Sequence, residues 1–378
     1  MNYDKLALDL HKQYSGKITT KIRDNDQLDK TKLSAYYTPG VAAVSKAIAD
    51  DPSKLSEYTW TNNLVAVISD GSAVLGLGNI GPRASMPVME GKSLLFKHFA
   101  GIDSVPIILD VHTVDEIVAT VKAIAPSFGA INLEDIAAPQ CFEIEERLKA
   151  ELPIPVFHDD QHGTAVVTLA GLINASKITN RHLSESKIVV VGAGAAGTAI
   201  MKLLKLYGVG QILAVDSKGI VSDNRTDLNS AKKLLLEHVD GTVDGSLSDA
   251  LTDADVFIGV SQPDLLTPEL IANMAADPIV FAMANPRPEI MPAIAKAAGV
   301  AVMATGRSDF PNQVNNAIAF PGIFRGALDN KVRTITDEHK IAAAEVIASL
   351  VEHPNPDEII PSPFDERIVP AIAAVITS

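Results

Sequence analysis

The chain has 378 residues, 32 Lys and Arg against 46 Asp and Glu, and a formal net charge of −14. That charge repels phosphate backbones and argues against a nucleic-acid partner, and a single cysteine, Cys141, excludes an intrachain disulfide and any cysteine metal cluster. Apolar residues make up 47% of the sequence, enough for a sizeable core, and the length suggests two domains.

The opening residues, MNYDKLALDLHKQYSGKITT, interrupt their short apolar groups with Asp4, Lys5, Asp9 and Lys12 and lack the apolar stretch of a signal peptide. The longest uncharged run, 161–176, has 16 residues and contains Gln, His, Thr and Asn. A bilayer span takes about 20 mostly apolar residues, so no membrane partner is expected. The sparing use of cysteine fits a reducing compartment, and a cytoplasmic location is expected.

Short apolar runs alternate with helical periods along the whole chain, the pattern of an α/β protein. In the first half the spacing predicts strands over 64–68, 105–110, 130–134 and 155–157, with helices over 91–99, 114–124 and 142–150. In the second half it predicts strands over 187–191, 211–216, 256–260, 279–284 and 300–305. Helices there fall over 197–207, 228–239 and 337–351, the last with Thr336 as N-cap. The boundary is set near residue 161: an N-terminal α/β domain, 1–161, precedes a Rossmann-type domain with a C-terminal helix, 162–378.

The run 187–191 leads into Gly192-Ala-Gly194-Ala195-Ala196-Gly197 and then a helical pattern. Gly192 permits the tight turn, Gly194 lets backbone approach a pyrophosphate, and Gly197 allows close packing of helix on strand. Asp216 ends the next strand, 19 residues past Gly197, where an acid bonds a ribose 2′-hydroxyl and repels a 2′-phosphate. The expected cofactor is therefore NAD rather than NADP.

Two acidic groups end consecutive strands: Glu134 and Asp135, then Asp159 and Asp160 between His158 and His162. Neighbours on a strand point to opposite faces, so Glu134 and Asp135 reach one ion only if the chain turns there. Carboxylates without cysteine suit a hard cation, Mg²⁺ or Mn²⁺, although adjacent loop acids are also common as solvated charge. Gly91-Lys92-Ser93 is not a P-loop, because Met86 stands where the first glycine belongs. Beside a divalent metal and a second cationic group, Lys92 could serve as a base.

Taken together, the motifs resemble the malic enzyme family over nearly the whole chain. They are, in order, YTPG at 37–40, LGLGNIG at 75–81, GK at 91–92, LED at 133–135, HDDQHGTA at 158–165, GAGAAG at 192–197, FAMANP at 281–286 and NNAIAFPG at 315–322. The resemblance implies oxidative decarboxylation of L-malate to pyruvate and CO₂ with a divalent cation, or the related malolactic conversion to lactate with NAD retained. It implies Glu134, Asp135 and Asp160 as metal ligands, Lys92 as general base, Tyr37 as general acid and Asp159 as the group that orients Lys92. Asn285, Asn315 and Asn316 would contact malate. Larger family members carry an Arg where this chain has Ala73, so that grip on a substrate carboxylate is not carried over. Family analogy also implies a homodimer. Whether Tyr37 and Lys92 serve one site from one chain or from two stays open.

Overall fold

The structure, a computed structural model, describes residues 3–24, 26–74 and 76–377; Leu75 of the LGLGNIG motif lies outside them. Three helices come first, α1 (Tyr3–Tyr14), α2 (Lys30–Tyr36) and α3 (Val41–Asp50), and none buries a single residue. Next come β1 (Leu64–Ser69), α4 (Pro82–Ala100), β2 (Asp103–Ile108), α5 (Val114–Ile124), β3 (Ala130–Leu133), α6 (Gln140–Glu151) and β4 (Val156–His158). These strands form a parallel sheet in the order β2-β1-β3-β4. The chain leaves β1 to one side and returns on the other, so the crevice at the strand ends opens between β1 and β3.

The chain then runs through α7 (Asp159–Ile178) into a second sheet. Its elements are β5 (Lys187–Val191), α8 (Ala195–Tyr207), β6 (Gln211–Asp216), β7 (Gly219–Ile220), β8 (Val256–Gly259), β9 (Ile279–Ala282) and β10 (Val302–Thr305). The order is β10-β9-β8-β5-β6-β7, parallel throughout except for the short β6–β7 hairpin. The order reverses at β5, which places the glycine turn at the switch point of a doubly wound sheet. Three helices close the fold: α9 (Phe320–Asp329), α10 (Asp337–Ser349) and α11 (Ile368–Val375).

The central strands are buried on both faces, and their side chains alternate between cores with a period of two. Val65 and Val67 face one core with Ile188 and Val190, whereas Leu64, Ala66 and Ile68 face a second core under α5 and α6. Val189 and Val191 face a third, on the far side of the second sheet. Strands covered on both faces read as continuous apolar runs, which is why periodicity finds them.

The misreadings have physical causes. Helix α7 was not expected because nearly every face is buried, and a helix apolar all round shows no stripe. It also runs through residue 161, so the chain passes between the sheets along an unbroken helix. Helix α4 starts at Pro82 rather than 91; its interior Pro87 mimics a breaker. The helix expected over 228–239 shrinks to Ser230–Leu235. Helices α9 and α11 and strand β7 were also unassigned, while Thr336 does cap α10 through His339 N–H. Among the described residues no helix is long and apolar enough to cross a membrane.

Phe96 of α4 joins the two halves, its ring meeting Phe320 edge-on at 4.7 Å and Phe324 at 5.1 Å. Phe96 is fully buried. Phe96→Ala should therefore lower the unfolding free energy by about 3–5 kcal/mol in urea melts; a loss under about 1 kcal/mol would mean the halves do not depend on this contact.

Candidate active site

The predicted acids and Lys92 come together at the carboxyl ends of β3 and β4. Asp135 adopts φ 54°, in the left-handed region, and this is the turn that brings neighbouring carboxylates to one side. Its backbone N–H donates to Asp160 Oδ2 at 2.7 Å, and its carbonyl accepts from Ala73 N–H at 2.9 Å. Asp159 and Asp160 occupy the first turn of α7, where the helix dipole favours anions. One ligand atom each from Glu134, Asp135 and Asp160 lies within 4.8 Å of the other two. Asn132 Nδ2 donates to Glu134 Oε2 at 2.9 Å and fixes that side chain.

Lys92 projects from α4 into this cluster. Its Nζ lies 2.5 Å from Asp159 Oδ2, 3.0 Å from Glu134 Oε1 and 3.2 Å from Asn316 Oδ1, with the Phe320 ring centroid at 4.8 Å. The side chain is 11% exposed. Burial by itself would lower the Lys92 pKa, but the Asp159, Glu134 and Asp160 carboxylates outweigh it and hold the amine above the usual lysine range. Burial and the Asp160 charge push Glu134 well above the usual carboxylate range despite Lys92. Burial also raises Asp159, whose Oδ1 is buried with no hydrogen-bond partner.

The donor set fits a hard dication. It is all carboxylate oxygen, closely spaced and repulsive as it stands, and a bound cation would relieve both the repulsion and the burial cost. These residues therefore suit Mg²⁺ or Mn²⁺.

Of the substrate candidates, Asn316 touches Lys92, while Asn315 spends its Oδ1 as the cap of Ala317 N–H at 2.9 Å. Asn285 follows β9, with its Nδ2 on the Met283 carbonyl at 3.3 Å. Tyr37 is the exception: it ends α2, is 69% exposed, and its hydroxyl has no hydrogen bond among the described residues.

The glycine turn is built as its spacing implies. Gly192 has φ 119°, and a Cβ on Gly197 would strike the Gly192 carbonyl. Gly194 stands at the N-cap of α8, with Ala195 and Ala196 in its first turn. Asp216, opposite this turn at the end of β6, is not the free acid the sequence suggests. Arg225 Nη1 and Lys232 Nζ bind its carboxylate at 2.8 and 2.5 Å.

Sequence reasoning missed Glu145, a charge on an amphipathic helix that reads as surface. It is buried, accepts from His158 N–H at 3.1 Å and Gln161 Nε2 at 3.3 Å, and pairs with His162 Nε2 at 2.8 Å. It thus fixes the corner where β4 becomes α7 and aims Asp159 and Asp160.

A doubly wound dinucleotide fold joined to a carboxylate cluster with a buried lysine defines the class, an oxidoreductase of two α/β units. The family models for the malic enzyme N-terminal domain and the malic enzyme NAD binding domain match residues 16–149 and 161–375. The chain is 55% identical over 380 residues to the bifunctional malic/malolactic enzyme of Bacillus subtilis, covering 100% of this chain and 92% of that one. It is 48% identical to the NADP-dependent malic enzyme of Rhizobium meliloti over 98% of this chain and 51% of that one. The NAD-dependent malic enzyme of Thermotoga maritima superposes with TM-score 0.95 at 49% identity, covering 98% of this chain and 99% of that one. The chain belongs to the malic enzyme family.

Gly163 tests the packing of the cluster. A Cβ there would overlap Asp159 Oδ1, on the carboxylate that Lys92 holds through Oδ2. Gly163→Ala should displace the Asp159 carboxylate and cut catalytic turnover at least about tenfold. Unchanged turnover would show that the Asp159–Lys92 contact is dispensable.

Proposed function

We propose that this chain catalyses the oxidative decarboxylation of L-malate to pyruvate and CO₂ with reduction of NAD⁺. The observation that carries this reading is Lys92, held between Asp159 and Glu134 beside three converging carboxylates. Glu134, Asp135 and Asp160 would hold Mg²⁺ or Mn²⁺, which when bound makes the malate C2 hydroxyl more acidic and stabilises the enolate left by CO₂ loss. NAD⁺, seated on Gly192, Gly194, Ala195, Ala196 and Gly197, would accept the C2 hydride.

Lys92 takes the proton from the C2 oxygen. Its own proton is retained only while the surrounding carboxylates are uncompensated, so neutralising them frees the amine to act as base. Asp159 lies outside the proposed ligand set and keeps Nζ aimed. Asn316 beside Lys92, with Asn285 and the free amide N–H groups of Asn315, would bind malate and compensate for Ala73. Tyr37 gives a proton to C3 of enolpyruvate.

Tyr37 shares a segment whose large apolar side chains, among them Leu8, Tyr14, Ile22, Leu28 and Tyr36, stand in solvent. Apolar patches of this kind mark interfaces. A homodimer that covers the segment is the assembly we propose, and a solution mass equal to one chain would exclude it.

A second reading rests on the Bacillus subtilis relative, which is described as bifunctional malic/malolactic. Product analysis separates the two: pyruvate with stoichiometric NADH supports oxidation, and lactate without net NADH supports the malolactic reaction. Lys92→Ala should lose oxidation and enolpyruvate tautomerisation by at least about a thousandfold. Tyr37→Phe should keep the oxidation step and lose the enzyme-catalysed exchange of the C3 protons of added pyruvate with solvent deuterium. Full turnover in Tyr37→Phe would remove Tyr37 as the acid.

A further inference from the structure

The Asp216 corner carries more than a ribose acceptor. Its carboxylate is 7% exposed and accepts from Arg225 Nη1 at 2.8 Å, Lys232 Nζ at 2.5 Å and Lys218 N–H at 2.8 Å. Arg225 also grips Asp227 through Nη2 at 2.8 Å and Nε at 3.0 Å, and Asp227 holds Lys218 Nζ at 2.7 Å. Burial would raise the Asp216 pKa, but its Arg225 and Lys232 bonds prevail and bring it down to about 2, so the acid stays ionised. The ion-pair cluster thus joins three cations to two carboxylates.

A cluster of net positive charge does not reject a phosphate by long-range repulsion. It rejects one because Asp216 already occupies the cations that a phosphate would use. Arg225 has Asp227 as a second partner, whereas Asp216 is the one carboxylate that Lys232 Nζ meets among the described residues. With the Asp216 charge gone, two net positive charges remain, matching a phosphate monoester near −2.

We propose that Arg225 and Lys232 form a latent 2′-phosphate site, and that Asp216 alone reserves this cleft for NAD⁺ over NADP⁺. The proposal rests on reading the Gly192–Gly197 turn as the dinucleotide cleft. An Arg beside this position is how such folds accept the 2′-phosphate, and here that Arg is present but engaged. Arg225, in the loop after β7, and Lys232, in the short helix Ser230–Leu235, were missed in the sequence because neither has a fixed spacing to the glycine turn.

The test uses the full chain and two probes, AMP and adenosine 2′,5′-bisphosphate, titrated calorimetrically, alongside kcat/KM for NAD⁺ and NADP⁺ with L-malate. Asp216→Ser should shift the affinity ratio toward the bisphosphate by at least about tenfold, with NADP⁺ gaining on NAD⁺ in the same direction. Asp216→Asn, which keeps the shape of the corner, should shift it the same way if the serine variant does not fold. Adding Lys232→Gln should take the shift away. An unchanged ratio in both Asp216 variants while AMP still binds overturns the proposal, as does a shift that survives Lys232→Gln. Failure of the unmodified chain to bind AMP or NAD⁺ overturns the dinucleotide reading beneath it.

Discussion

One ammonium set among four carboxylates governs this molecule. Lys92 meets Asp159 and Glu134 directly, and Asp135 and Asp160 complete the group. If all five ionise, the buried set carries three uncompensated negative charges, and buried charge without a partner is among the costliest features a fold can hold. A dication on the Glu134, Asp135 and Asp160 oxygens would answer most of that excess. The same neutralisation would loosen the proton on Lys92. In the proposed function, metal affinity and base strength are two consequences of a single charge imbalance.

The fold exists in good part to keep that imbalance in place. Parallel strands β3 and β4 deliver the acids at their carboxyl ends, and the left-handed turn at Asp135 folds two of them to one side. Helix α7 starts at the site and then runs into the core, so its acids ride on a rigid buried rod. Asn316 and Phe320 arrive from the C-terminal half and close on Lys92 from α4. The Phe96, Phe320 and Phe324 cluster behind them ties movement of one half to the geometry of the other.

Much of this was legible in the sequence. Strands covered on both faces announce themselves as apolar runs, so β1, β5 and β6 fall within a residue of expectation. The acids were legible because their motifs end β3 and β4, at the strand ends where an open α/β sheet binds ligands. What escaped was information held only in three dimensions. Helix α7 hides because burial on all sides erases its period. Glu145 looks like a surface charge until β4 folds against it. Asp216 reads as a lone acid until Arg225 and Lys232 return to it from 9 and 16 residues away. Tyr37 can be named from its motif, but a segment without buried residues does not position it.

The most direct measurement is Mn²⁺ binding followed by electron paramagnetic resonance on the unmodified chain, Glu134→Gln and Asp160→Asn. The account predicts one bound Mn²⁺ per chain, displaced by Mg²⁺, with affinity reduced at least about tenfold in each variant. Equal Mn²⁺ binding in all three proteins would contradict the carboxylate site and, with it, the origin assigned to the reactivity of Lys92.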